Sequence, residues 1–486
     1  MPTPLHSGLD KNLTALKEMF GNSMDLYTKP LYIHGVACAA CMFDGISSVE
    51  RLWVILLDLL SRPDVPAESG EELFRRVLHR SDLPLEKDPV EDLETLSSKL
   101  TAGMTVLLFD GCPCGVALSS QNMQFRSVQE PTGEGDIRGS REGFTDLLRI
   151  NLSLIRRLDR SEGLTIEFFQ LPTRTRTEAA LCYDRELVPP ELVELVRGRL
   201  KECDLPMVLD SSYLAPCLQS GRGRFFSQVG YTERSATACA KICEGKVVVL
   251  VNGSPFALIL PYFFGEHFQS LDDYAQKAYF ASFVRALKYL AFWLAVLLPG
   301  MYVCVANHMP ELFPRQLLFK ITAAESATPW PLFLEMVLVI LLLEIVREAG
   351  LRLPKPMGHS VSLVSALIIG DAAVGANIIS TPVVIVAALT SLAMFVLPSL
   401  YEPITLLRIL FTLAAGLLGP LGLCLLLVWM LTSICGADSF GFPHAAPFSP
   451  WQRGALRDGL MRWPWPDLAG KAFTIRDVRK EADGEK

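Results

Sequence analysis

Apolar positions follow two regimes along the chain. Up to about residue 288 they recur at short intervals among charged residues, with the periods of helices and strands. Residues 31–36, 105–110 and 115–119 are short apolar runs that predict strands, and 71–79 predicts a helix. Within 49–60, Leu52, Val54, Leu56, Leu57 and Leu60 keep helical spacing, which predicts another. Phe144, Leu147, Leu148, Leu152 and Ile155 share a face and predict a helix over 143–158. Strands follow at 164–171 and 177–183, a helix at 190–200, and a hairpin of 246–251 and 256–260 turning at Asn252-Gly253. These elements predict an α+β N-terminal region of two subdomains, residues 1–130 and 131–287. They are joined at the Pro/Gly/Glu-rich stretch Glu130-Pro131-Thr132-Gly133-Glu134-Gly135. No repeat of solenoid period is present.

From residue 289 to 435 only 13 of 147 positions are charged, against 84 of the other 339. That shift marks a change of solvent. Four apolar blocks result: 289–310, 326–346, 357–401 and 409–437. A span takes about 20 apolar residues, so the pattern predicts an α-helical polytopic membrane domain over 288–437 and a tail over 438–486. The third block has room for two spans, or for one and a re-entrant piece, and is interrupted at Gly370-Asp371 and Gly375-Ala376-Asn377. Lys277, Arg285 and Lys288 precede the first block, Arg347, Arg352 and Lys355 follow the second, and Arg453, Arg457 and Arg462 lie in the tail. Basic flanks favour the cytoplasmic side, which requires an even number of spans; four are expected.

Composition agrees with a membrane chain: half of the residues are hydrophobic and the mean hydropathy is +0.31. The net charge of −7 gives no argument for nucleic acid. The N-terminus MPTPLHSGLDKNLTALKEMF lacks a basic start followed by an apolar run, so no cleavable signal peptide is expected. Twelve irregularly spaced cysteines do not form a secreted disulfide framework. Both points place the N-terminal region in the cytoplasm.

Candidate chemistry is sparse. The chain has no nucleophile elbow, Walker loop or paired metal-ligand motif on a helix, and its seven histidines are scattered. Neither an enzyme nor a cofactor is expected. Cys38, Cys41, Cys112 and Cys114 could together ligate a metal, but small buried cysteines explain them as well. Glu335 lies inside the second apolar block, where a carboxylate is costly unless it faces protein or water; it is either a pore or gating residue or a helix-packing acid. Glu344, nine residues on, faces another neighbour; it is either a further pore or gating residue or, with Arg347, Glu348 and Arg352, part of a charged collar where the helix leaves the membrane. Asp371 either lines a pore or caps a broken helix. Arg138, Arg141, Arg149, Arg156, Arg157 and Arg160 either bind an anion or partner, or make solvated and inter-domain ion pairs.

From Glu130 onward the sequence resembles the GerA family of spore germination proteins. The resemblance is carried by Arg138-Gly139-Ser140-Arg141-Glu142-Gly143-Phe144 with Arg156-Arg157, by Asn252-Gly253-Ser254-Pro255, and by Asp272-Asp273-Tyr274. It continues through Pro329-Trp330-Pro331 to Glu335, then Glu344 to Arg347-Glu348 and Arg352-Leu353-Pro354, and ends on Asp438-Ser439-Phe440-Gly441 and Pro447-Phe448-Ser449-Pro450. Ser235-Ala236 after Thr232-Glu233-Arg234, and Phe225-Phe226-Ser227-Gln228, depart from the family pattern. The resemblance implies an A subunit of a nutrient receptor in the spore inner membrane. Such a subunit acts with a transporter-like B subunit and a lipoprotein C subunit and homo-oligomerises into an ion channel. A SpoVAF-type accessory channel component is the alternative within the family, and a secondary transporter the alternative outside it.

Overall fold

The computed structural model describes residues 3–48, 50, 69–79, 86–121, 131, 133–135, 139–219, 225–352, 368–451, 456–468, 475 and 478. The helix expected over 49–60 lies outside these residues.

The first unit runs α1 (Leu9–Met19), β1 (Leu26–Ile33), β2 (Val36–Phe43), α2 (Gly70–His79), β3 (Lys87–Val90), α3 (Leu93–Thr101), β4 (Thr105–Phe109) and β5 (Gly115–Leu118). Its sheet has the order β1-β2-β4-β5-β3, with every neighbouring pair antiparallel. The strand expected over 31–36 straddles a turn. His34 (φ 50°) and Gly35 (φ 90°) reverse the chain there, so that Ile33 pairs with Val36. Alternation then sends Cys38, Ala40 and Met42 to one face, against Leu73 and Val77 of α2. Ala39, Cys41 and Phe43 go to the other, against Leu16 of α1 and Leu96 and Leu100 of α3. Helix α3 starts where the Asp92 carboxylate accepts the Thr95 N–H at 2.6 Å.

The second unit repeats this order: α4 (Leu148–Leu158), β6 (Leu164–Gln170), β7 (Glu178–Asp184), α5 (Pro190–Lys201), β8 (Gly230–Thr232), α6 (Ser235–Cys243), β9 (Val247–Val251) and β10 (Ala257–Leu260). Its sheet order, β6-β7-β9-β10-β8, is the same path over five antiparallel strands. The two units are one topology used twice, a duplication invisible at solenoid periods. Helix α4 begins five residues later than the apolar spacing predicts, because the Asn151 side chain bonds back to the Thr145 backbone and holds 143–147 out of the helix. Asn252 and Gly253 sit in a five-residue connection rather than a two-residue turn. The Asn252 side chain accepts the Leu148 N–H at 3.2 Å and the Gly253 N–H reaches Asp146 O at 2.7 Å, so this loop caps α4.

One face of the second sheet packs on α4 and α6. The other packs on α5 and on residues far along the chain: Phe440, Phe442, Ala446, Ile475 and Val478. Cys203 and Cys217, beside this core, form a disulfide with Cα atoms 5.7 Å apart, a bridge the irregular cysteine spacing does not announce.

The helical region follows as α7 (Ala278–His308), α8 (Arg315–Ser326), α9 (Leu332–Arg352), a π-helical turn (Ile368–Ala373), α10 (Thr381–Phe395) and α11 (Tyr401–Cys435). Among the described residues, two helical stretches, Ala278–His308 and Pro398–Cys435, are long and apolar enough to cross a membrane by length and composition. The first takes in nearly all of the 289–310 block and the second nearly all of the 409–437 block, each beginning eleven residues earlier. The fourth block is broken: Gly419 (φ 60°, ψ −140°) precedes Pro420, and Gly422 comes against the Ala414 carbonyl, eight residues back. A straight helix would separate those residues by about 12 Å, so α11 is two limbs folded on each other. Helix α7 packs along both. The Cα of Gly300 lies so close to Phe411 O and Leu423 that a Cβ there would stand 2.8 Å from the carbonyl. His308, at the end of α7, reaches the turn at Gly419.

Apolar contacts divide the bundle into two layers. The layer next to the soluble units joins Phe226 and Phe268 to Phe292, Met394, Leu407 and Met430. The far layer joins Val303, Ile321, Met336, Val383 and Ala415. Helix α7 thus leaves the soluble units, α9 and α10 return toward them, and the two limbs of α11 go out and back.

Candidate functional site

Three groups of buried charge tie these parts together. The first joins the two soluble units. Arg156, on α4, is fully buried. Its Nε and Nη2 donate to the two Asp25 carboxylate oxygens, each at 2.9 Å; Nη1 donates to Leu164 O at 3.1 Å, and the group lies 4.5 Å over the Phe43 ring. Arg149 pairs with Asp44, and Arg185 caps the carboxyl end of α1 through Glu18 O (2.8 Å) and Met19 O (2.6 Å). Of the arginines singled out by sequence, Arg149 and Arg156 are inter-unit pairs, Arg157 pairs with Glu142, and Arg141 is exposed. Arg138 lies outside the described residues. Gly139 faces Leu271, Gly143 bridges to Arg234, Phe144 is core, and Pro255 is half-buried in the loop that caps α4. Glu233 and Arg234 hold the described part of the 130–135 stretch, through Gly133 N–H (3.1 Å) and Glu134 O.

The second group lies where the soluble units meet α7. Asp273 accepts from Arg285 Nε (3.1 Å) and Nη2 (2.9 Å), and Lys288 stands 3.5 Å away. Arg285 also holds the Asp458 carboxylate at 3.0 Å, and the Tyr274 hydroxyl donates to the same carboxylate at 2.6 Å. Residues of the tail are therefore fastened to the first turns of α7. Beside them Glu266 bonds Lys241 (2.6 Å) and Lys246. Burial works to raise the Glu266 pKa, but the two ammonium groups outweigh it and hold the carboxyl at about 2. His267 is buried; burial, helped by nearby His444, outweighs the Glu266 carboxylate and the Ser227 backbone and pushes its pKa down to about 3.

The third group is inside the bundle. Glu335 is 1% exposed in the first turn of α9. One of its oxygens accepts the Ser380 N–H at 2.5 Å, at the start of α10; the other has no partner among the described residues. Glu344 does bond Arg347 Nε (3.1 Å), as local spacing predicts. Its main partners are on α11, Arg408 and the Tyr401 hydroxyl. Glu348 pairs with Arg352 at 2.7 Å on the surface, Asp371 is exposed, and Pro354 lies outside the described residues. Sequence reading missed Arg408 because it falls in the short gap between the third and fourth apolar blocks. The signal was available: it is the one charge inside 403–437. Cys38 and Cys41 point to opposite faces of β2, so the four thiols near the first sheet do not converge.

These features define a class: a duplicated α+β module whose second half is completed by the C-terminal tail and clamped by buried ion pairs to an apolar helical bundle. The family described as Bacillus/Clostridium GerA spore germination protein matches residues 14–472. Similar proteins include Spore germination protein KA of Bacillus subtilis, 32% identical over 99% of this chain and 90% of that protein. Spore germination protein GerLA of Bacillus cereus is 30% identical over 95% and 94%, and the Bacillus subtilis membrane protein YfkQ 31% identical over 95% and 90%. The crystal structure of the N-terminal domain of the A subunit of the Bacillus megaterium germinant receptor GerK3 aligns with 54% of this chain and 98% of its own, at 22% identity and a TM-score of 0.42. The chain belongs to the GerA family of spore germination proteins.

Proposed function

We propose that this protein is the A-type subunit of a spore germinant receptor, embedded in the spore inner membrane with its soluble units in the cytoplasm. There it works with a transporter-like B subunit and a lipoprotein C subunit. The observation that carries this reading is that the similarity to germination proteins spans both the soluble units and the bundle, over nine-tenths or more of the chain and of the relatives. In this reading several copies assemble into an ion channel without enzymatic activity. The clamp at Asp273, Arg285 and Asp458 passes a rearrangement of the soluble units to α7. Because the tail returns to the units from which α7 departs, an even number of crossings puts both on one side of the bilayer. The domains are then 1–130, 131–287, the bundle 288–437, and a tail that serves the second unit.

Glu335 is the gating candidate, since it fixes the start of α10 with one oxygen and keeps the other uncommitted. Asp371, exposed on a single copy, is the next candidate for a surface between copies. The test is potassium efflux from liposomes containing the purified chain, with and without B and C subunits, for the native protein and Glu335→Gln. Efflux that Glu335→Gln alters at unchanged protein level and assembly supports the channel and the assignment. No efflux in any combination refutes the channel; normal efflux in the variant removes Glu335.

A further inference from the structure

We propose that Arg408 anchors a binding site for a small monovalent anion, of the chloride or nitrate kind, inside the bundle between α9 and the first limb of α11. The inference goes beyond the receptor reading and stands without it.

Arg408 is 0% exposed; of its buried neighbours on the helix Leu407 and Phe411 are apolar, and Thr412 turns its hydroxyl to the Arg408 carbonyl at 2.7 Å rather than to the guanidinium. A guanidinium carries five N–H donors and cannot shed its charge. One Arg408 donor, on Nη2, is bound to Glu344. Nε and Nη1, which carry three N–H groups between them, are buried without a partner among the described residues. Glu344 cannot serve them too. Its Oε1 is held by Arg408 Nη2, and its Oε2 takes both Arg347 Nε at 3.1 Å and the Tyr401 hydroxyl.

The charges point the same way. Around Glu344 stand two guanidinium groups, Arg408 and Arg347, against one carboxylate. Arg347 is fixed 3.4 Å over the Tyr401 ring and stays at the cluster. A buried unit of positive charge with unused donors is the arrangement that an anion completes, since a buried charge is tolerated when it is paired and hydrogen-bonded. The full enclosure of Arg408 limits the ligand to a small one. The side chains of Glu344 and Arg347 are 16% and 21% exposed, and they give the cluster its opening to the surface.

The site is tested on the purified full-length chain by thermal unfolding at constant ionic strength, with chloride or nitrate replacing gluconate. The native midpoint should rise saturably with the small anion, as for any ligand that binds only the folded state. Glu344→Gln removes the competing carboxylate, so its half-saturating concentration should fall about tenfold or more, the size of one lost charge-assisted contact. Arg408→Gln should abolish the dependence. A midpoint that ignores anion identity in both the native chain and Glu344→Gln overturns the proposal and leaves an ion pair with internal water. An unchanged dependence in Arg408→Gln also overturns it, because the anion is then bound elsewhere. Should Arg408→Gln not accumulate, the direction of the Glu344→Gln shift decides.

Discussion

Replacing Arg156 by Met is the sharpest probe of how the duplicated units are held together. Methionine keeps an unbranched apolar stem that reaches about as far as the arginine Nε and removes the donors. What remains is Asp25, 2% exposed, holding only the Ser23 hydroxyl at 2.5 Å. Two 2.9 Å charge-assisted bonds, one bond to Leu164 O, one to Ser23 Oγ at 3.2 Å and the stacking on Phe43 are lost together. Stranding one partner of a buried pair costs about 3–5 kcal/mol, which corresponds to roughly 150- to 5,000-fold in an opening equilibrium. The readout is amide hydrogen exchange in the full-length chain at the seam itself. There the Met24 N–H donates to Ile166 O and the Ile166 N–H to Ser23 Oγ, both at 2.9 Å. Those two amides should lose protection by that factor, while the central strands β4 and β9, whose hydrogen bonds are not to seam residues, should keep theirs. The second substitution, Asp25→Asn in the same chain, removes the stranded charge and should restore much of the protection. Protection at Met24 and Ile166 within threefold of native in the single variant would refute the claim that this pair joins the units.

His267 makes stability fall with acid. Its folded pKa of about 3 lies below the usual value near 6.5, so between those limits the unfolded chain binds the extra proton and stability drops as pH falls through that window. His267→Phe should flatten the slope of the unfolding midpoint between pH 6.5 and 4 by about one proton, while an unchanged slope would place the titration elsewhere. Glu266, held at about 2, acts at lower pH: its stabilisation is complete above about pH 4.5 and is lost as pH falls toward 2. Glu266→Gln should therefore destabilise at pH 7 and converge on the native midpoint in strong acid. Asp458→Ala removes the Tyr274 and Arg285 contacts and should cost about 1–3 kcal/mol; limited proteolysis should then cut the tail near 456–468 sooner than in the native chain.

Much of the fold was legible because buried strands declare themselves: 105–109, 115–118, 164–170 and 247–251 read correctly from short apolar runs. Helices α1, α3 and α6 were not legible, since their apolar residues are few and interleaved with polar ones that bond locally, as Asp92 does at α3. The hinge at Gly419 was hidden because the block around it is apolar throughout, and periodicity is blind to a single left-handed residue. The same limit applies to the charges. Glu335 and Glu344 stood out by their apolar surroundings, but their partners Ser380, Tyr401 and Arg408 lie 45 to 64 residues away in sequence, and only the fold brings them close.

The return of the tail to the second sheet sets an order of events during synthesis. When residue 276 has emerged, the face of that sheet bearing Leu181, Val249 and Leu258 has α5 against it but still lacks Phe440, Phe442, Ile475 and Val478. The bundle is, in effect, inserted into an unfinished domain, and every one of its helices is made before that domain can close. At about 5–20 residues per second, roughly 200 residues hold the face open for some 10–40 seconds. During that time a greasy sheet surface waits beside the ribosome, so a nascent chain stalled anywhere between α7 and α11 is a substrate for chaperones rather than a smaller working protein.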